Sequence, residues 1–168
     1  HESTVREMGR TATGVRGMTL DETGDDEVIG MICIKDPEKE TVMVVSEQGY
    51  GKRSEIEDYR ITNRGGKGVK TLNITEKTGN LVAIKSVTDE NDLVIINKSG
   101  ITLRMKVADV RIMGRATQGV RLINLEKRND EIASVCKVLS ETESDSSNSE
   151  NIDSASEINE AEASETTE

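Results

Sequence analysis

Apolar residues along this chain come in short runs that are separated by polar segments rich in Gly, Asn and Asp. The runs are rich in Val and Ile, and none shows the 3.6-residue period of an amphipathic helix over a useful length. Short β-branched runs bounded by turn-forming residues are typical of strands. The pattern therefore predicts an all-β protein.

The predicted strands follow one another in a constant order, with about four strands in each unit of roughly 50 residues. The run at residues 28–34 is apolar throughout, so we expect a strand that is buried on both faces. The strands cover residues 28–34, 42–46, 52–59, 69–74, 81–87, 93–97, 101–107, 120–125 and 132–138. Polar turns separate them, for example at residues 36–39, 47–51, 98–100 and 127–130.

A twelve-residue repeat motif occurs three times and sets the period of these units. Copy 1 is GRTATGVRGMTL at residues 9–20, copy 2 is NRGGKGVKTLNI at 63–74, and copy 3 is GRATQGVRLINL at 114–125. Each copy has Arg at its second position, Gly at its sixth, Val at its seventh and a basic residue at its eighth. Successive sixth-position glycines lie 54 and 51 residues apart. A period of this length indicates stacked or radially arranged units.

Residues 1–8 match residues 106–113, which lie directly before copy 3. We therefore expect the sequence to open on the last strand of a unit whose beginning is not included. On this interpretation the repetitive region is residues 1–139, and residues 140–168 are a separate tail.

The acidic residues are concentrated in that tail. Residues 140–168 hold ten Asp and Glu and no Lys or Arg, within a Ser-rich segment of low complexity. Such a segment buries too little apolar area to offset its chain entropy, so we expect disorder, with a helix near residues 157–165 as the weaker alternative. Removing these ten from the 32 acidic residues leaves 22, which equals the number of Lys and Arg. Residues 1–139 therefore form a neutral domain that presents a basic face only by segregating its charges.

The residues needed for most catalytic or metal sites are missing. The single histidine is His1, and no GxxxxGK[ST] phosphate loop occurs. The Gly-rich segment at 63–68 leads into a predicted strand, so it lacks the helix N-terminus of a nucleotide site. We therefore expect no catalytic residue and no metal site.

Two further features concern the compartment of the protein. Cys33 and Cys136 lie far apart in apolar runs, so we interpret both as reduced residues that are buried or half-buried in the core. No run of about 18 apolar residues occurs, which argues against a membrane span.

Basic residues recur at fixed positions of the repeat motif and are the candidate nucleic-acid-binding residues. If the units lie side by side, equivalent positions line up along one rim and form a positive stripe, which binds phosphate backbone without reading base sequence. Glycines at the same turns would let backbone amides approach a phosphate. The candidates are Arg10, Arg64 and Arg115 at the second position, Arg16, Lys70 and Arg121 at the eighth, Lys67 in the Gly-rich part of copy 2, and Lys52, Arg53, Arg60, Arg104 and Lys106 on or near the polar strands.

A structural explanation of the same residues is open as well. The glycines would then only supply positive φ in turns, and the cations would be solvated edge residues that protect strands from aggregation.

Together with GYGKRSEIEDY at residues 49–59, the three motif copies resemble the C-terminal domain of the DNA gyrase A subunit. The resemblance covers about residues 5–138. It implies a β-pinwheel, a propeller-like disc of usually six blades that exchange strands, of which this chain would hold an incomplete set, the last two to three. Tyr50 and Tyr59 match blade positions and not the family's catalytic tyrosine.

The resemblance also implies a function. Duplex DNA wraps around the basic outer rim of the family's disc, which presents a DNA segment for strand passage and lets the holoenzyme introduce negative supercoils with ATP. The implied partners are double-stranded DNA and, through an N-terminal part absent from this sequence, the gyrase B subunit and a second gyrase A subunit. No cofactor is implied for this chain, because ATP and magnesium act elsewhere in the holoenzyme. The implied location is cytoplasmic and chromosome-associated.

Two alternatives remain at this point. The family's diagnostic box, QRRGGKG, lies in the first blade, and residues 63–68 (NRGGKG) look like a degenerate copy in a late blade. Without the box, the related topoisomerase IV protein stays open. A propeller-type scaffold for protein partners is the second alternative, although such a surface is usually rich in aromatics. The acidic tail would compete with DNA for the rim or act only as a solubilising segment.

Overall fold

The computed structural model describes residues 3, 5–22, 24, 26–125 and 130–140. The described residues form seven strands and no α-helix, which confirms the all-β prediction. The strands are β1 (Thr41–Ser46), β2 (Tyr50–Glu55), β3 (Leu81–Val87), β4 (Asn91–Asn97), β5 (Thr102–Lys106), β6 (Val120–Arg121) and β7 (Ile132–Leu139). Apart from Ser140, the tail predicted at residues 140–168 lies outside the described residues, as do residues 127–129 of the last predicted turn.

The strands form two antiparallel sheets that repeat one another at an offset of 51 residues. The first sheet has the order β3-β1-β2-β6 and the second has the order β7-β4-β5. In the first sheet Thr41 lies opposite Glu55 and Val87. Its equivalent in the second sheet, Asp92, lies opposite Lys106 and Val138. Even the register shift recurs, between residues 45 and 46 in β1 and between residues 96 and 97 in β4.

Successive units exchange strands. β3 and β4 are separated by only residues 88–90, yet β3 belongs to the first sheet and β4 to the second. Each sheet combines a hairpin (β1–β2 or β4–β5) with an outer strand from the following unit (β3 or β7). This exchange is the feature that distinguishes a pinwheel from a simple meander, and it agrees with the fold implied by the resemblance.

The two sheets share one hydrophobic core. Met43 and Val45 of β1 meet Leu93 and Ile95 of β4, and all four side chains are at most 1% exposed. Full burial of such side chains contributes about 1.5–3 kcal/mol each. A second cluster, which includes Val44, covers the other face of the first sheet, so β1 is buried on both faces.

Two predicted strands are wrong for a common reason. Residues 28–34 form no strand, and Met31 is 92% exposed. These residues are equivalent to β3 and β7, which add to the hairpin of the preceding unit, and the hairpin that residues 28–34 would join is not in this chain. Residues 69–74 also form no strand, since their partner strand would belong to the same preceding unit. The opening residues 5–8 form no strand either, and the matching residues 110–113 form only an isolated bridge, so this part of the unit is not a strand.

The prediction for the cysteines is half wrong. Cys33 and Cys136 are both free thiols, as expected, but both are exposed. Cys33 lies in the segment 28–34 that has no partner strand, and Cys136 lies on the outward face of β7.

Candidate nucleic-acid interface

The three copies of the repeat motif dock on one another in series. The Thr19 amide donates to the Gly66 carbonyl at 3.0 Å, and the Asn73 amide donates to the Thr117 carbonyl at 3.0 Å. Both bonds join the eleventh position of one copy to the fourth position of the next. The same contact therefore relates copy 1 to copy 2 and copy 2 to copy 3, which places equivalent motif positions in a regular succession.

The sixth-position glycines adopt the left-handed region in every copy. The φ angles of Gly14, Gly68 and Gly119 are 94°, 76° and 78°. Only in copy 3 does packing also require a glycine, because a Cβ on Gly119 would lie 2.6 Å from the Gly51 carbonyl oxygen. The positive φ of these turns thus accounts for the glycine in every copy. This agrees with the structural explanation of the motif glycines given in the sequence analysis.

Copy 3 is fixed on the edge of the first sheet. Its strand β6 pairs with the start of β2, and the Leu122 amide donates to the Gly49 carbonyl at 2.8 Å. Just before copy 3, the Met113 amide donates to the Arg53 carbonyl and the Ser54 hydroxyl donates to the Met113 carbonyl, both at 2.8 Å. Copy 3 therefore presents its side chains from a well-supported backbone.

Two of the expected rim cations lie in the interior of this junction. Lys52 is 0% exposed, and its Nζ donates to the Gly114 carbonyl at 2.6 Å. Arg53 is 6% exposed, and its Nε donates to the Val110 carbonyl at 2.7 Å. The expectation that these two side chains lie on an exposed rim is wrong, because copy 3 and the residues before it cover β2. Their observed role is to fasten the following unit to the sheet.

Burial lowers the pKa of Lys52 to about 8, and the nearby carboxylate of Asp58 opposes this shift. The guanidinium of Arg115 acts in the same direction as burial. The hydrogen bond to Gly114 therefore compensates only part of the unfavourable free energy of removing the Lys52 ammonium from water.

Two further candidates have partners but stay accessible. Arg115 donates from Nε to the Asp58 carbonyl and from Nη1 to the Lys70 carbonyl, both at 3.0 Å. Arg104 donates from Nε to Asp92 Oδ2 at 2.8 Å, and its side chain is 41% exposed. Arg115 thus links copy 2 to copy 3, whereas the charge of Arg104 is paired with that of Asp92 within the second sheet.

The remaining eight candidates are exposed and meet the first requirement of a phosphate contact. Their contact with DNA stays a prediction. They are Arg10, Arg16, Arg60, Arg64, Lys67, Lys70, Lys106 and Arg121.

The sequence interpretation missed one cation that the fold places beside this interface. The Lys77 Nζ lies 5.5 Å from the centroid of the Tyr50 ring, and the Arg121 Cζ lies 5.9 Å from the same centroid. Lys77 is outside the repeat motif, so its position depends on how the turn after copy 2 packs on the β1–β2 hairpin. The only signal in the sequence was an isolated tyrosine in a chain with 1% aromatic residues.

Other kinds of site find little support in the described residues. They contain no group of three or more His, Cys, Asp or Glu side chains that could hold a metal ion. None of their helical segments is long and apolar enough to cross a membrane. An open cleft of about 650 Å³ beside copy 1 is lined by Asp21, Glu22 and Asp26 together with Lys67, which disfavours a polyanion there.

A model of a known protein family matches the sequence of this chain. The family model of the DNA gyrase C-terminal domain, a β-propeller, matches residues 1–35, 40–88 and 91–136. Each matched segment contains one copy of the repeat motif.

Curated relatives agree with the family match. The chain is 48% identical over 149 residues to the DNA gyrase A subunit of Staphylococcus aureus strain NCTC 8325, which covers 89% of this chain and 16% of that protein. It is 54% identical over 124 residues to the DNA gyrase A subunit of strain MRSA252, which covers 74% and 14%. The chain thus spans less than a fifth of the length of these relatives.

Solved structures show the same fold. The C-terminal domain of DNA topoisomerase IV matches with a TM-score of 0.73 at 24% identity, over 82% of this chain and 42% of that one. The C-terminal domain of DNA gyrase A matches with a TM-score of 0.65 at 28% identity, over 81% and 45%. With its three matched segments, its motif copies and its exchanged strands, the chain belongs to the DNA gyrase C-terminal domain family.

Proposed function

We propose that this chain binds duplex DNA without sequence preference and bends it along the succession of repeat motifs, as part of a DNA gyrase A subunit. The observation that carries the proposal is the regular docking of the three copies, which sets Arg16, Lys70 and Arg121 at equivalent positions of successive units. Cations at regular intervals fit a polyanion with regularly spaced charges. The holoenzyme would use this contact in ATP-dependent negative supercoiling.

The proposal makes the exposed cations its binding residues. Lys52 and Arg53 act indirectly by holding copy 3 against β2, whereas the exposed motif cations meet phosphate. Contacts of this kind position DNA but carry no base-sequence information. Within the holoenzyme the catalytic tyrosine, the B subunit and the second A subunit would be reached through parts outside this chain.

Two other functions are weighed against this one. The likeness to topoisomerase IV is a likeness of fold at 24% identity, whereas the relatives at 48–54% identity are gyrase subunits. A protein-binding scaffold is disfavoured because Tyr50 and Tyr59, the only aromatic residues, are buried and half-buried.

The test is binding of the full chain to two duplexes of unrelated sequence, each about 40 base pairs, across a salt series. The proposal predicts equal affinities for the two duplexes and a steep, linear loss of log affinity with log salt. No binding at low salt, or binding of one sequence only, would contradict it.

A truncated chain without the acidic tail tests the effect of the tail on DNA binding. Truncation after Ser140 keeps the contacts of that residue, whose amide donates to the Glu90 carbonyl at 3.0 Å. It removes the ten acidic residues of the tail. We expect tighter binding at low salt and a smaller difference at high salt, since competition by the tail is electrostatic. Unchanged affinity would assign the tail a solubilising role only.

A further inference from the structure

Tyr50 is an unusual residue in this fold. It begins β2, it is 8% exposed, and its hydroxyl is buried without a hydrogen-bond partner in the described part of the chain. A buried hydroxyl without a partner is unfavourable, and in a native fold it calls for an explanation. At the equivalent position of the second sheet stands Ile101, so packing of a blade does not require a tyrosine here.

Two exposed cations from different units converge on the Tyr50 ring. Lys77 follows copy 2 and Arg121 belongs to copy 3, and both lie within 6 Å of the ring centroid. An aromatic ring attracts cations to its face, so one side chain organises two charges that would otherwise repel each other.

Hydrogen bonds fix the backbone segments that carry both cations. Lys77 lies in a turn that is closed by the buried Thr78, whose Oγ1 accepts from the Thr75 amide at 2.9 Å. The Gln48 amide donates to the Thr78 carbonyl at 3.1 Å, which ties this turn to the β1–β2 hairpin. Arg121 lies directly opposite Tyr50 in the β2–β6 pairing.

This arrangement has the chemistry of a phosphate site. An ammonium supplies a compact charge, a guanidinium has five donors and keeps some for a ligand while contacting protein, and a phenol supplies a neutral donor. We infer that Tyr50, Lys77 and Arg121 form a binding site for a backbone phosphate of duplex DNA. In the free chain the ring positions both cations, and when the exposed Lys77 side chain turns from the ring to the phosphate, the Tyr50 hydroxyl donates to a phosphate oxygen as well. The inference rests on the proposed function and adds Tyr50 and Lys77 to its contacts.

The test compares single variants of the full chain on a random duplex across a salt series. Lys77→Gln and Arg121→Gln should each lower affinity about three- to tenfold at low salt and reduce the salt slope by about one. Tyr50→Phe should weaken binding about threefold, leave the salt slope unchanged and leave the protein no less stable, because it removes only an unsatisfied hydroxyl. A purely structural tyrosine would not weaken binding in a variant that is equally stable.

Lys39→Gln is the matched control. Lys39 is a turn lysine with a 79% exposed side chain beside Asp36, and its loss changes net charge by the same amount as the loss of Lys77. The salt slope of this variant should equal that of the wild type.

A spectroscopic readout needs no variant in the site. With 3-fluorotyrosine incorporated, the chain has two ¹⁹F signals, from Tyr50 and Tyr59, and Tyr59→Phe assigns them. Duplex DNA should shift the Tyr50 signal and leave that of Tyr59, whose hydroxyl is hydrogen-bonded with Thr71, in place.

The outcomes separate the two claims. The phosphate site is wrong, and the proposed function stands, if the wild type binds DNA while Lys77→Gln behaves like Lys39→Gln. The same conclusion follows if Tyr50→Phe binds as tightly as the wild type and DNA does not shift the ¹⁹F signal of Tyr50 in the labelled wild-type chain. If the wild type does not bind duplex DNA, both are wrong.

Discussion

Single residues in equivalent positions of the two sheets have different roles. Arg53 and Arg104 are 51 residues apart and occupy the same place in β2 and β5. Arg53 is buried by the unit that follows it, whereas the Arg104 side chain is 41% exposed. The environment supplied by the next unit, and not the residue type, decides whether such an arginine supports the fold or faces solvent.

This difference predicts unequal effects of the same substitution. Arg53→Leu removes the donors to the Val110 carbonyl and to Asp89 Oδ1, so it should lower the free energy of unfolding by about 2–3 kcal/mol. Arg104→Leu breaks an ion pair whose arginine side chain is 41% exposed, and Asp92 keeps its hydrogen bond from the Ser140 hydroxyl, so the loss should be smaller. Urea unfolding of both variants measures the difference, and equal losses would contradict the assigned roles.

Lys52 makes stability depend on pH in a specific window. Its pKa is about 8 in the fold against an ordinary value of 10.5, so between these values the unfolded chain holds a proton that the folded chain has lost. Wild-type stability should therefore rise with pH from about 8 to 10.5 relative to Lys52→Met, by about 1.4 kcal/mol for each unit of pKa difference. Parallel urea-unfolding profiles of the two proteins over this range would show that Lys52 is not desolvated.

At the scale of elements, a strand of this fold depends on the neighbour that the next unit provides. β2 has five buried residues in succession because β6 and residues 112–113 lie against it. The equivalent strand β5 alternates between exposed and half-buried residues. Strands at equivalent positions are therefore an inner strand in one sheet and an open edge in the other.

This dependence explains which elements could be predicted from the sequence. Residues 42–46, 81–87, 93–97 and 132–138 have partners inside the chain, and the apolar runs located all four strands. Residues 28–34 have an equally apolar pattern but no partner hairpin, so the pattern alone could not show that they form no strand. The Tyr50–Lys77 contact and the burial of Lys52 were not predictable, because both arise between units and leave no local signal.

The glycines of the repeat motif allow a test of docking at this scale. Gly119→Ala and Gly68→Ala both place a side chain at positive φ, which costs about 1–2 kcal/mol. Only Gly119→Ala also forces a Cβ to within 2.6 Å of the Gly51 carbonyl oxygen, whereas nothing lies within 4 Å at Gly68. We expect the Gly119 variant to lose clearly more stability in urea unfolding, and equal losses would mean that copy 3 is not docked on β2.

At the scale of the whole molecule, charge is segregated along the chain. The net charge of −10 is that of the tail, and residues 1–139 carry equal numbers of acidic and basic residues. The second and eighth positions of the repeat motif are basic in every copy, so each further copy adds this pair of cations. A surface built in this way follows a polyanion over a distance that grows with the number of units.

The most direct test of this account is the shape of bound DNA. A duplex of about 40 base pairs is much shorter than the persistence length of about 150 base pairs, so it is nearly straight when free. With donor and acceptor dyes about 20 base pairs apart within it, which is about 68 Å in straight DNA, saturating amounts of the full chain should increase energy transfer, because DNA that follows successive motif copies is bent. Saturated binding with unchanged energy transfer would contradict the account, since the chain would then hold DNA without bending it.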